Sequence, residues 1–165
     1  MPVTAVTHDL DTLTLTITAQ FAAPVERIWR VYADPRQLEQ IFGPRSHPAT
    51  FVEHDLTPGG GAHYFMTSPE GEKYYGWWRV TAVDEPRSFT FEDGFAADDS
   101  FAPLEDMPVS KSVYAFEPAD GGTRATFTAT FGSVEALQKV LEMGVVEGAT
   151  SATNQIDALV ATPDR

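Results

Sequence analysis

SVEALQKVLEMGVVEGATSATNQIDALVA, residues 133–161, repeats its apolar positions at three- and four-residue intervals. Leu137, Leu141, Val145, Gly148, Ala152, Ile156 and Leu159 therefore share one face of a helix, while Glu135, Lys139, Glu142, Asn154 and Asp157 fall mostly elsewhere. Ser133 is a good N-cap type, and Glu135 places negative charge in the first turn, where the helix dipole favours it. One long helix over 133–161 is predicted. The middle of its apolar face is small: Gly144, Gly148, Ser151 and Ala152. An interior glycine costs a helix about 1 kcal/mol relative to alanine, so two of them need compensation. Close packing on a sheet would supply it, and so would a hollow between helix and sheet with room for a ligand. The spacing is compatible with both.

The rest of the chain reads as the sheet that this helix covers. Leu13, Leu15, Ile17, Ala19 and Phe21 alternate with Thr14, Thr16, Thr18 and Gln20, the pattern of a half-buried strand. Pro24 suits the first turn of a helix whose apolar side is Val25, Ile28, Trp29 and Tyr32, and Asp34-Pro35 separates it from a second short helix through Leu38 and Ile41. Strands are predicted over 50–56, 62–67, 73–83 and 88–93, and a last hairpin over 109–117 and 123–131. Between them, residues 94–108 lose the alternation and mix acidic residues with Phe101, Leu104 and Met107. A loop of that length is uncommon. Its apolar residues are expected to seal the edge of the core, with capping of a cavity mouth as the other possibility. A one-faced antiparallel sheet must bury that face, and the long helix is the only cover large enough. The expected class is α+β: a curved antiparallel sheet of about six or seven strands around a long C-terminal helix, with two short helices after the first strand. The expected division is an extension over 1–12, one domain over 13–161 and a tail over 162–165.

Bulk properties exclude several function classes. A net charge of −13 argues against nucleic acid and anionic membrane surfaces, which both call for basic patches. The absence of cysteine removes disulfides, thiolate nucleophiles and Cys-ligated zinc. No signal-peptide pattern opens the sequence and no run approaches a membrane span, so a cytoplasmic protein is expected.

Several pieces together resemble the START-like helix-grip (SRPBCC) superfamily, and within it the branch of the C-terminal domain of activators of the heat-shock ATPase. These are APVERIWRVYADPRQLEQIFGP, FVEHDLTPGG, PEGEKYYGWW, GGTRATFTATF and EMGVVEGATSATNQIDALVA, in that order, within about residues 13–161. The resemblance implies a sheet gripping the last helix with a cavity between them. The superfamily uses that cavity for lipids, hormones and polyketides, and some branches cyclise or hydrolyse them. It therefore implies a small hydrophobic, lipid- or polyketide-like partner; a homodimer and a chaperone partner are also compatible with it. One departure is Ile41 before Phe42-Gly43-Pro44, where the branch usually carries an aromatic residue. That changes the expected cavity mouth.

No nucleophile elbow, P-loop, HExxH or complete dinucleotide fingerprint is present, so no cofactor is expected. His63 is expected opposite Glu53 across a strand pair with His54 on the other face, which argues against a shared metal site. Glu147, between Gly144 and Ser151 on the helix, is the candidate acid or base, with Glu92 behind it; the rival reading of Glu147 is a solvated residue or an arginine partner. Phe42, Phe65, Tyr75, Trp78, Phe91 and Tyr114 from the sheet side, with Met143, Gly144, Glu147 and Ser151 from the helix, are the expected cavity residues. Trp77 and Trp78 cannot both face inward. A binding protein is the first reading; a cyclase or hydrolase using the same cavity, and a protein-interaction module, are the rivals.

Overall fold

Alternation along the strands produces a sheet with one buried face, and the helices pack on it. In a computed structural model describing residues 3–42, 46–105, 107, 109–142 and 144–161, the order is β1 (Val3–Asp9), β2 (Thr14–Phe21), α1 (Val25–Ala33), α2 (Pro35–Ile41), β3 (Ala49–His54), β4 (Gly61–Thr67), β5 (Lys73–Asp84), β6 (Ser88–Ala96), β7 (Ser110–Ala119), β8 (Gly122–Thr130), α3 (Val134–Glu142), α4 (Val145–Asn154) and α5 (Ile156–Val160). The eight strands form a single sheet in the order β1-β2-β8-β7-β6-β5-β4-β3. Every neighbouring pair is antiparallel.

The strand count exceeds the expected six or seven because residues 3–9, read as an extension, pair with β2 as an edge strand. Most of β1 is exposed, so its side chains carry no burial period to read. In β2 the alternation holds: Leu15, Ile17, Ala19 and Phe21 are buried. The first helices also form where predicted. Asp34 caps α2, its carboxylate accepting from the Arg36 N–H at 2.9 Å, and Pro35 occupies the first helical position.

The C-terminal run is three helical segments rather than one helix. Ser133 caps α3, its hydroxyl accepting from the Ala136 N–H at 3.1 Å. Gly144 then adopts φ +79°, a left-handed conformation that a non-glycine residue enters only at a cost, and α4 starts after it. Gln155, between α4 and α5, keeps helical angles.

The core divides into separate clusters. The main one joins α1, α2 and Ile156 of α5 to the inner face of the sheet through Ile28, Trp29, Leu38, Phe51, Trp78 and Phe89. A smaller one joins α3 to Leu15 and Phe131 through Leu137 and Val140. The C-terminal run is thus fixed at both ends, and from its middle Val146 and Ala149 pack against the two clusters only as partly buried residues. A third cluster sits on the outer face, where Phe101 packs against Trp77 and Ala96 and stacks on His63 with centroids 4.6 Å apart. Among the described residues of the acidic insertion, Phe101 therefore packs on the outer face rather than on the core edge or the inner cavity, and the chain returns along the end of β6 with the Leu104 N–H donating to the Phe95 carbonyl at 2.9 Å. No helix among the described residues is long and apolar enough to cross a membrane.

Candidate ligand cavity

Between the two inner clusters, sheet and helices do not meet. The space left is a cavity of about 510 Å³ bounded by β2, β6, β7 and β8 on one side and by α3 and α4 on the other. Its helix wall is Val140, Gly144, Gly148, Ala149, Ala152 and Thr153. A Cβ added to Gly148 would meet nothing within 4 Å. Gly148 therefore faces open space and is not there to allow close packing. Tyr74, which is 53% exposed, and the half-buried His47 mark where the cavity meets solvent.

Among the described residues, one carboxylic acid lines this space. Asp93 follows Phe89 and Phe91 on the inward phase of β6 and pairs across the sheet with Trp78 and Ser110. It lies deep in the molecule, yet keeps accessible surface because that surface opens into the cavity. Burial raises its carboxyl to a pKa of about 7, against the opposing effect of a hydrogen bond from the Tyr64 hydroxyl. Tyr64 reaches it by crossing β5 above Gly76: any side chain at Gly76 would collide with the Tyr64 ring and hydroxyl. The Trp78 indole N–H lies against the same hydroxyl without completing a hydrogen bond. Burial, and then the charge of Asp93, raise the Tyr64 and Tyr114 hydroxyls above the ordinary tyrosine range. Tyr32 is raised by burial and then by Tyr114, whose ring centre is 5.5 Å away. Among the described residues, no lysine or arginine lines the cavity.

Residues 22–161 match the family model described as activator of Hsp90 ATPase homolog 1-like protein. The chain belongs to that family. Among solved structures it is similar to protein Ms6760 from Mycobacterium smegmatis, with 66% identity over 99% of this chain and 100% of that one and a TM-score of 0.90. A protein from Arthrobacter aurescens is 43% identical over 99% of this chain and 94% of its own, at a TM-score of 0.91. The AHSA1 protein from Silicibacter pomeroyi is 26% identical over 90% and 97% of the two chains, at 0.70. No curated protein matches the sequence.

In this activator-of-Hsp90-ATPase-like chain, the sequence-predicted residues separate by strand phase. Phe42, Tyr114 and Gly144 line the cavity, as does Ile41 at the position where the branch usually has an aromatic residue. Trp78 and Phe91 face inward but are packed behind the wall, at 3% and 0% exposure. Phe65 and Tyr75 lie on the outer face, opposite each other in register, with ring centres 5.8 Å apart. Glu147 is exposed; its carboxylate turns back towards Gly144, and a Cβ there would stand 3.8 Å from Oε2. Ser151 is half-buried away from the cavity wall, and Met143 lies outside the described residues. Glu92 points outward and pairs with Arg79 at 3.5 Å. Sequence reasoning missed Asp93, Tyr64, Ser110 and Ser112. Strand phase was the available signal, since an acid two residues beyond Phe91 must face the same way as Phe91.

The expected pairing of the histidines is present. His63 lies opposite Glu53, Nδ1 to Oε2 3.5 Å, and His54 faces inward with Nε2 2.7 Å from the Tyr32 carbonyl. Glu53, His63, Arg79 and Phe101 rim a polar groove of about 440 Å³ on the outer face, separate from the apolar cavity.

Proposed function

We propose that this protein binds a small apolar or aromatic molecule in the cavity between the sheet and α3–α4. The observation that carries the reading is the hollow itself, about 510 Å³ beneath a helix face of glycine and alanine. Interiors normally pack without voids larger than a water molecule, and ligand pockets span roughly 300–1,000 Å³. Ile17, Phe127, Phe131 and Val140 supply apolar contact, and the hydroxyls around Asp93 supply orientation. The large exposed apolar side chains, Val6, Val52, Val113 and Val134 among them, are spread over β1, β3, β7 and α3, which gives less support to a protein-docking module. Native mass spectrometry of the protein purified from its own host, with organic extraction of what it carries, tests the reading. A discrete co-purifying small molecule supports it. A protein that arrives empty and takes up no apolar aromatic in titration sinks it.

A second reading has one observation in its favour. Asp93 ionises near neutrality beside a tyrosine hydroxyl, with space for a substrate next to both, as acid–base chemistry needs. If the extracted molecule is altered on incubation with the protein, Asp93→Asn must abolish the change.

A further inference from the structure

Cavity chemistry narrows the ligand class, and this step rests on the container reading above. The polar side chains that line the ligand space are mostly hydroxyls, among them Tyr32, Tyr64, Tyr114, Ser110, Ser112 and Thr153, together with the carboxyl of Asp93 and with His47 at the mouth. The Tyr64 hydroxyl is turned to the Asp93 carboxyl, whose value it lowers. Ser110 and Ser112 face each other at 3.5 Å. The Tyr114 hydroxyl makes no hydrogen bond among the described residues, and Tyr114 keeps accessible surface while lying deep in the molecule. A charged amine would need an ionised partner and would bury two charges, which roughly cancels its own attraction. A neutral acceptor needs neither.

We propose that protonated Asp93 donates a hydrogen bond to a carbonyl or phenolic oxygen of the ligand, with the Tyr114 hydroxyl as second donor, so that the cavity selects aromatic molecules bearing an oxygen acceptor. One oxygen of the carboxyl accepts from Tyr64 and the other carries the proton towards the ligand. The arrangement gives a sign to the pH dependence. Loss of the Asp93 proton, centred near pH 7, removes the donor and leaves two acceptors facing each other. The other titrating groups facing Asp93 are the tyrosines of β4, β7 and α1, all held protonated by burial. At the mouth stand His47 and Tyr74; α3 and α4 contribute no titrating side chain to the wall.

A matched pair of probes tests this: benzophenone and its hydrocarbon counterpart diphenylmethane, titrated by calorimetry from pH 6 to 9. The ketone is expected to bind more tightly at pH 6, and its affinity to fall about a hundredfold by pH 9 while that of the hydrocarbon stays level. Asp93→Asn, whose amide donates at every pH, should keep the ketone preference and lose its pH dependence; Asp93→Leu should lose the preference throughout. A pH dependence that survives in Asp93→Asn belongs to another group and overturns the proposal. Equal binding of both probes at every pH also overturns it while leaving the container reading intact. Ketone affinity that rises with pH overturns it in favour of a ligand that donates to the carboxylate. Binding of neither probe removes the container reading and the inference together.

Discussion

At Asp93 the neutral form is favoured because its carboxylate would sit in a poorly solvated interior, and the Tyr64 hydrogen bond offsets only part of that cost. In the unfolded chain the same group titrates near 4. Its raised value therefore gives stability that is complete below that point and lost as pH rises through about 7. Asp93→Asn should accordingly gain about 4 kcal/mol over the wild type at pH 8 and little at pH 4, read from denaturant melts at the two pH values. Tyr64→Phe removes the one interaction that lowers the Asp93 value. The titration midpoint of the Asp93 carboxyl carbon, followed by NMR, should move upward in that variant; an unchanged midpoint would mean that the hydrogen bond does not form in solution.

Among the elements, the C-terminal run carries the sharpest contrasts between neighbouring glycines. Gly144 needs its left-handed φ, so Gly144→Ala should cost about 1–2 kcal/mol although there is space for the methyl group. Gly148 has ordinary angles and open space beyond its Cα, so Gly148→Ala should stabilise by about 1 kcal/mol. Thermal melts of the two variants against the wild type check both signs. The apolar spacing over 133–161 revealed the helix face and the Ser133 cap, yet not the break, because a glycine that turns the chain and one that thins a helix look alike in sequence. Strand β1 was illegible for another reason: its pairing is made by backbone groups while its side chains stay exposed, and periodicity reports only side-chain burial. The alternating strands β2 and β8 were fully legible because each buries one face against the helices.

For the whole molecule, a second buried group acts on the acid side. His54 is held below its usual value by burial; its Nε2 meets the Tyr32 carbonyl, and Nδ1 is buried without a partner. A lowered value means that the unfolded chain binds the extra proton first, so this contribution is present above about pH 6.5 and is lost as pH falls below it. His54→Gln keeps a donor within reach of Tyr32 and removes the titration. Its melting temperature should therefore gain on the wild type as pH drops from 7 to 5, and a constant difference would exclude His54 as the cause. The candidate site was less legible than the fold for a geometric reason. Which aromatic lines a cavity depends on strand phase and on the depth of the wall, and composition reports neither. Phe65 and Phe91 illustrate the two failures, one on the outer face and one buried behind the lining.

The C-terminal run resembles a beam resting on two supports. Leu137 and Val140 hold one end and Ile156 holds the other; between them Val146 and Ala149 touch the clusters, while the Gly148 position stands open. Because the supports hold the span in place, residues along it can be exchanged to change the volume and shape beneath it while both supports stay intact.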